Sequence, residues 1–442
     1  MRKNIRLHCL LAVLIALVVR SEPLRAQATN SPRPTPFLDA QNGVTESELV
    51  TRALANNPAL AAERQAIDSA KGSVAQARLR ANPSLSVGGL KEVGGDDSRF
   101  SVGTEIPLEL FGRRARRTEV AEKRLTETRA TTADKERLLT GEVRLRFAET
   151  LAAVRNAEFV EQLLEANRQF LKLMEDRVRE GAIPSLDAEE VRVETSRIES
   201  LRIDYQAKAE IAMLALKEAV GMQPEESLHL KGNLEQPVLS FDKGQLLQLA
   251  SDRRPDLAAQ RANEAMAAAS VRQQQAEAKT DATFSASYER PNSGFSFSAF
   301  DPAGNLQPIR QTFNYAVFGM RWTLPLFNRN QGAIAAAKAD VAAAHNQVSA
   351  ADLTLRHDVT QNLVRCQAAQ ERVAVYRKGV RDQAARNLDV VRQTYGYGRI
   401  PLLEVIAEQR RFIDIETGYT DVLLDSYVSR IALERAVGTD LP

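Results

Sequence analysis

Apolar positions along this chain change period several times, and each change marks an element. From Thr45 to Ala81 they recur at helical spacing behind a Thr45-Glu-Ser-Glu48 capping box, and Pro83 stops the run. Ser84–Leu90 and Arg99–Pro107 switch to partial alternation of small or polar residues with Val, Leu and Phe. Joined by Gly94-Gly-Asp-Asp97, they read as a β-hairpin. Arg113 to Arg179 returns to the helical period with no proline and a glycine only at 141. At ~1.5 Å per residue that run spans ~100 Å, far longer than a globular core needs. Its apolar residues, among them Val143, Phe147, Leu151, Val160, Leu164, Met174 and Val178, form a narrow coiled-coil-like seam flanked by charge. Pro184 to Val220 is a shorter helix ending at Gly221. Residues 222–244 read as a linker, and then the pattern restarts: helix Gln245–Lys279, strands Thr283–Arg290 and Phe313–Leu324, a second long helix Ala333–Gly396, and a closing helix Pro401–Val437.

Two short stretches organise this series. Arg179-Glu-Gly-Ala-Ile-Pro-Ser-Leu-Asp187 and Tyr397-Gly-Arg-Ile-Pro-Leu-Leu-Glu404 each place a glycine, able to take positive φ at a helix end, three residues before a proline suited to the start of the next helix. Each is a sharp reversal, and the helices on either side run antiparallel.

The recurrence extends to the whole chain. Asn57-Pro-Ala-Leu-Ala-Ala-Glu-Arg64 matches Arg254-Pro-Asp-Leu-Ala-Ala-Gln-Arg261, and Leu108-Glu-Leu-Phe-Gly-Arg113 matches Leu324-Pro-Leu-Phe-Asn-Arg329. Leu216-Lys-Glu-Ala-Val-Gly221 matches Leu433-Glu-Arg-Ala-Val-Gly438. The chain therefore reads as two copies, 45–221 and 245–442. The offset is 197 at the first anchor and 216 or 217 at the others, so about twenty extra residues sit in the second hairpin. They fall in Pro291–Thr312, a Ser-, Gly-, Pro- and Asn-rich stretch expected to be an exposed loop. By length, Pro184–Val220 is expected to stack end to end with Gln245–Lys279, and Pro401–Val437 with helix one, each pair matching one ~100 Å helix.

Composition narrows the setting. The 442 residues are 26% charged with a net charge of +2, a balance that suggests neither nucleic acid nor an acidic polymer as partner. Residues 1–28 read as a secretory signal: Arg2, Lys3 and Arg6, then an apolar run, then Ala26-Gln-Ala28. Residues 29–44, with three prolines, form an extended lead-in. No later segment approaches the ~20 apolar residues of a spanning helix, so the exported chain either stays soluble or crosses a membrane as strands. Cys9 leaves with the signal and Cys366 stands alone, so no intrachain disulfide and no lipid anchor is expected.

Four strands cannot close a membrane barrel, which needs about eight or more, whereas three chains would supply twelve. Phe284, Ala286, Tyr288, Ala316, Phe318, Met320, Trp322 and Leu324 are the candidate lipid-facing residues, although a soluble sheet fits the same pattern. Alanine-rich runs at 258–269 and 333–344 allow close helix approach or simply favour helix.

Pro325-Leu-Phe-Asn-Arg-Asn-Gln-Gly-Ala-Ile-Ala-Ala-Ala-Lys338, Pro107-Leu-Glu-Leu-Phe-Gly-Arg-Arg114, Arg254-Pro-Asp-Leu-Ala-Ala259 and the two tips resemble the TolC-type outer membrane efflux protein family, most of all its heavy-metal, CzcC-like branch. The resemblance covers essentially the whole mature chain. It implies a mainly α fold with a β part: a homotrimer whose twelve-stranded barrel sits in the outer membrane, continued by an α-helical tunnel across the periplasm. The implied partners are outer-membrane lipid, a periplasmic adaptor at the tips and an inner-membrane RND-type pump. Within the family, a drug or polypeptide-secretion duct is the alternative; outside it, a soluble periplasmic coiled-coil scaffold.

The resemblance also assigns residues. Asp187 and Glu404 lie on the first turn of each returning helix, where an acid also suits the helix N-terminus. The family's periplasmic gate makes them a ring that constricts the pore and favours cations. Glu190 follows Asp187 by three residues, but Ala407 follows Glu404. Gly181, Ile183, Pro184, Gly398, Ile400 and Pro401 are turn-formers and the implied adaptor-docking residues. Arg113-Arg-Ala-Arg-Arg117 is a candidate for headgroup contact or a solvated helix start. No enzyme motif is present, so no catalytic residue and no cofactor is expected. His229, His345 and His357 do not cluster in sequence, so no metal site is expected in the duct.

Overall fold

The computed structural model describes residues 37–39, 41–238 and 240–441; the expected signal and the lead-in as far as residue 36 lie outside them. The elements are α1 (Glu46–Asn56), α2 (Pro58–Arg78), β1 (Ser84–Lys91), β2 (Ser98–Pro107), α3 (Arg113–Arg179), α4 (Ser185–Val220), α5 (Lys243–Arg253) and α6 (Pro255–Glu277), then β3 (Asp281–Phe300), β4 (Leu306–Thr312), β5 (Tyr315–Thr323), α7 (Gln331–Val375), a π-helical turn at Tyr376–Val380, α8 (Arg381–Gly396) and α9 (Leu402–Val437).

The 67-residue helix α3 has the bounds its polar and apolar pattern predicts. The two helices expected at Thr45–Ala81 and Gln245–Lys279 are instead broken at Asn57 and Arg254. Each of these residues precedes a proline, whose ring disfavours the α conformation behind it, and they take ψ of 119° and 118°. Asn57 then caps α2, accepting the N–H groups of Ala59 and Leu60 at 2.9 and 3.2 Å.

Those breaks are also joints. A Cβ built on Gly221 would lie 3.2 Å from the Asn57 Cα, and one built on Gly438 would lie 3.2 Å from the Arg254 Cα. Asn57 Nδ2 donates to the Ala219 carbonyl at 3.1 Å, and Arg254 Nη1 donates to the Ala436 carbonyl at 3.4 Å. So α4 runs into α2 and α9 runs into α6. The expected stacking partners were the opposite ones, and length alone could not separate them, because the candidate helices have nearly equal lengths. Gly221 and Gly438, at φ 81° and 85°, let each helix end close against the joint without a side chain in the way. Leu246, Leu257, Leu355, Val359, Leu433 and Val437 pack the second joint into a buried cluster.

The second long helix differs from the first by the π turn. The offset between halves is 216 at Arg113 and Arg329 but 217 at Gly181 and Gly398, so the second half holds one more residue between strand and tip. A widened turn is how an α-helix absorbs one residue. At that turn Tyr376 stacks on buried Tyr419 at 6.2 Å, and Arg381 donates to Glu416 at 2.7 Å.

The sheet runs β1-β2-β3, all antiparallel, with β5 and β4 both on the far edge of β3. Asp281↔Thr323 through Gly294↔Arg310 is one continuous register, carried across the gap by the Phe313 N–H bond to the Pro291 carbonyl at 3.0 Å. The sheet is therefore four strands wide. The expected loop at Pro291–Thr312 is instead a long extension of this hairpin, because its serines alternate with Phe295 and Phe297 at strand period. Residues 222–244 are not a free tether either: Leu230 is buried and bridges to Leu38 and Val44.

Candidate functional site

Both reversals are Schellman turns. Gly181 N–H bonds to the Val178 carbonyl at 3.0 Å and Ala182 N–H to Arg177 at 2.9 Å; Gly398 bonds to Tyr395 at 2.8 Å and Arg399 to Thr394 at 3.2 Å. Gly181 and Gly398 stand at φ 72° and 71°, and Pro184 and Pro401 precede the first turns of α4 and α9. One apolar cluster holds the two tips side by side, with Met174, Ala188 and Val191 from the first and Leu402, Val405 and Ile406 from the second. Ile183 and Ile400 pack against that cluster, so both are half-buried. What the tips present to solvent is Pro184, Pro401, Tyr397 and a matched pair of leucines, Leu186 at 64% exposure and Leu403 at 66%. These leucines escaped the sequence reading, although each stands directly before its tip acid.

The acids have different surroundings. Asp187 is half-buried, and Tyr395 of the other tip donates its hydroxyl to Asp187 Oδ2 at 2.9 Å. Burial, then this bond to the carboxylate, pushes the Tyr395 hydroxyl up to about 12. Glu404 is exposed, and among the described residues nothing pairs with it. The residue of the first half that corresponds to Tyr395 is Val178, which has no hydroxyl to offer.

Above the tip core a buried polar chain crosses three helices: Gln409 Nε2 donates to Asn167 Oδ1 at 3.1 Å, and Asn167 Nδ2 donates to Thr195 Oγ1 at 2.7 Å. Beside it Glu194 is buried and accepts from Arg197 and, across to α9, from Arg410 at 2.8 Å. Burial opposes ionisation of Glu194, but the two guanidinium groups outweigh it and hold its carboxyl below the usual range.

At the opposite end the basic run serves the helix joints with the sheet. Arg117 donates to the carbonyls of Ala77 and Leu79, at the end of α2. Arg113 donates to Glu277 and Lys279, at the end of α6. Both cap carbonyls that the helices leave unsatisfied. His345 Nδ1 lies 2.9 Å from Glu264 on the surface, and no group of three or more His, Cys, Asp or Glu side chains able to hold a metal is found among the described residues.

The register sorts the sheet into two faces, because cross-strand partners share a side. Leu85, Val87, Val102, Ile106, Phe284, Ala286, Tyr288, Phe318, Met320 and Trp322 fall on one. Ser86, Ser101, Glu105, Ser285, Ser287, Glu289 and Arg321 fall on the other with Leu90 and Val317 among them, and there Arg321 pairs with Glu105 at 3.0 Å. All the candidate lipid-facing residues from Phe284 to Trp322 share the apolar face. No helix among the described residues is long and apolar enough to cross a membrane.

The profile of the family described as outer membrane efflux protein matches residues 49–222 and 246–439. The chain belongs to the outer membrane efflux protein family. It is 25% identical over 409 residues to the cobalt-zinc-cadmium resistance protein CzcC of Cupriavidus metallidurans, covering 90% of this chain and 91% of that one. A membrane protein from Pseudomonas aeruginosa shares its fold with a TM-score of 0.73 at 20% identity, over 89% of this chain and 92% of that one. The transmembrane channel CusC does so with a TM-score of 0.73 at 18% identity, over 92% and 97%. This efflux protein is thus an outer-membrane protein.

Proposed function

We propose that three copies of this efflux protein form the exit duct of a tripartite pump. In this reading a twelve-stranded barrel spans the outer membrane and a helical tunnel continues it through the periplasm. The tips dock a periplasmic adaptor bound to an inner-membrane RND-type pump. The observation that carries the reading is the sheet register: a wall four strands wide, apolar on one face and polar on the other, with β1 and the β4–β5 strand left as open edges. Four strands are too few to close, so the edges need other copies of the same wall.

Residues 45–221 and 245–442 act as equivalent units joined by 222–244, behind a signal at 1–28; the double profile match and the two helix joints support this division. The proposed cargo is heavy-metal cations, on the similarity to CzcC. The duct passes them without a binding site of its own, and the pump selects them. Glu404, exposed beside the tip, supplies a threefold acidic ring that favours cations, and Asp187 contributes to the same constriction.

Gene deletion tests the cargo, with zinc, cobalt, cadmium, nickel, copper and organic toxicants compared in parallel. Sensitivity confined to metal cations and restored by the full chain is expected. Sensitivity to organic compounds alone would point to a drug duct, and a defect only in polypeptide export to a secretion duct. The protein should fractionate with the outer membrane as a detergent-stable trimer; recovery as a soluble periplasmic species would overturn the duct.

A further inference from the structure

The extended hairpin changes character along its length. As far as Glu289, the face of β3 that carries Thr283, Ser285 and Ser287 is polar, and the other face carries Phe284, Ala286 and Tyr288. Beyond Asn292, where pairing with β2 ends, the two faces exchange polarity. On the formerly polar side Tyr315 and Phe313 stand opposite Glu289 and Pro291, and Phe295 and Phe297, in a bulge between Gly294 and Ser298, join them there by ring contact. The side that was apolar carries Asn292, Gly294 and Ser298, opposite Thr312, Arg310 and Pro308, before Phe300 and Leu306 at the hairpin end.

The four rings touch. Phe295 stacks on Phe297 at 6.2 Å and meets Phe313 edge-on at 6.3 Å, and Phe313 stacks on Tyr315 at 6.0 Å. Three of them remain open to solvent, with Phe297 at 65% exposure, and Phe313 is half-buried. The ribbon that carries them has two strands only, and such a ribbon is marginal in water without a partner for its apolar face. Its base is braced by the β1–β2 loop: Asp97 Oδ1 accepts the Gly294 N–H at 2.8 Å, and Arg310 pairs with Asp96 at 3.2 Å.

We propose that the aromatic face of this hairpin packs against the same face of the neighbouring copies, closing the outer mouth of the duct as an apolar gate. The inference rests on the trimeric barrel proposed above. If the apolar wall faces lipid, Ser285, Ser287 and Glu289 face the lumen. The single register from Asp281 to Gly294 keeps Tyr315 and Phe313 on that lumen side, and the ring contacts hold Phe295 and Phe297, in the bulge that follows, against them. The aromatic side therefore looks across the axis of the pore, toward the equivalent hairpins of the other two copies. A ring of aromatic side chains at that level obstructs ions by excluding water rather than by charge. Cargo driven from below must part it.

Disulfide trapping in the full-length protein tests the contact. Phe297→Cys should form a reducible dimer on mild oxidation in outer membranes, joining up to two of every three subunits. Ser298→Cys, on the opposite side of the ribbon, should not. The unsubstituted protein, whose Cys366 is buried, is the background. Trimers that are intact but never link through position 297 would overturn the gate. So would linking at 298 alone, which would turn the rings outward onto lipid. If the unsubstituted protein is not a trimer, the duct reading falls first and the gate with it. In planar bilayers the double variant Phe297→Ser with Phe313→Ser should raise single-channel conductance at least twofold, and an unchanged conductance would refute the gate.

Discussion

The two tips share a turn, a proline and an acid, yet the acids stand in different chemistry. Asp187 is held by a hydroxyl that reaches over from the other hairpin, whereas Glu404 stands free in solvent. The difference comes from one seam position, which is Tyr395 in the second long helix and Val178 in the first. Duplicated turns fix where the acids sit; the neighbouring helix fixes what they do. In the proposed duct Glu404 is left to act on passing ions, while Asp187 is partly spent on fastening one hairpin to the other. The geometry thus argues against an even division of labour between the tips.

The largest effect should come from what the tips have in common. Replacing both exposed leucines, Leu186→Asp with Leu403→Asp, should reduce resistance to the level of a gene deletion while trimers persist, because neither side chain belongs to the tip core. Adaptor cross-linking measured in parallel should vanish; full cross-linking would move docking elsewhere. Ile400→Asp should also weaken docking, but with a loss of tip stability of about 2 kcal/mol, since Ile400 packs on the cluster.

The acids should then separate. Glu404→Ala should lower cation preference severalfold in bilayers, most clearly at low salt where charge is least screened. Asp187→Asn should change selectivity less and instead loosen the tips. Equal selectivity losses in both variants would erase the distinction drawn here.

A smaller effect isolates the fastening itself. Tyr395→Phe removes one hydrogen bond, worth about 1 kcal/mol, so the tips should separate roughly fivefold more often, as read from channel opening. The same bond predicts a pH dependence. The folded protein favours the neutral Tyr395 hydroxyl, so its contribution is complete below pH ~10 and is lost as pH rises through about 12. Opening should increase over that window in the parent, and the Tyr395→Phe variant should lack this component.

Local signals made the tips, the 67-residue helix and the apolar strand residues legible in the sequence. A glycine followed by a proline, the absence of proline over a long run, and alternation need no knowledge of distant contacts. The breaks at Asn57 and Arg254 were signalled by the prolines behind them, but the strong helical period on either side masked them. The choice of stacking partners was not legible, because it depends on which helix end meets which joint. Pro291–Thr312 was misread because Ser, Gly and Asn serve loops and strand edges alike; the alternation of Phe295 and Phe297 was the overlooked sign. At the proposed site, Asp187 and Glu404 could be named in advance. Glu190 after the one and Ala407 after the other already marked them as unequal, but the bond that separates them was not legible, since Tyr395 stands more than 200 positions away from Asp187.

The single wide turn in the second long helix has a consequence for inheritance. A residue inserted into an ordinary α-helix rotates everything beyond it by about 100°, which would swing Val391 and Tyr395 off the tip core. Both nevertheless lie in that core with their first-half counterparts Met174 and Val178. With the surplus confined to Tyr376–Val380, one additional codon can enter a gene for a ~100 Å helix and leave the far end in phase.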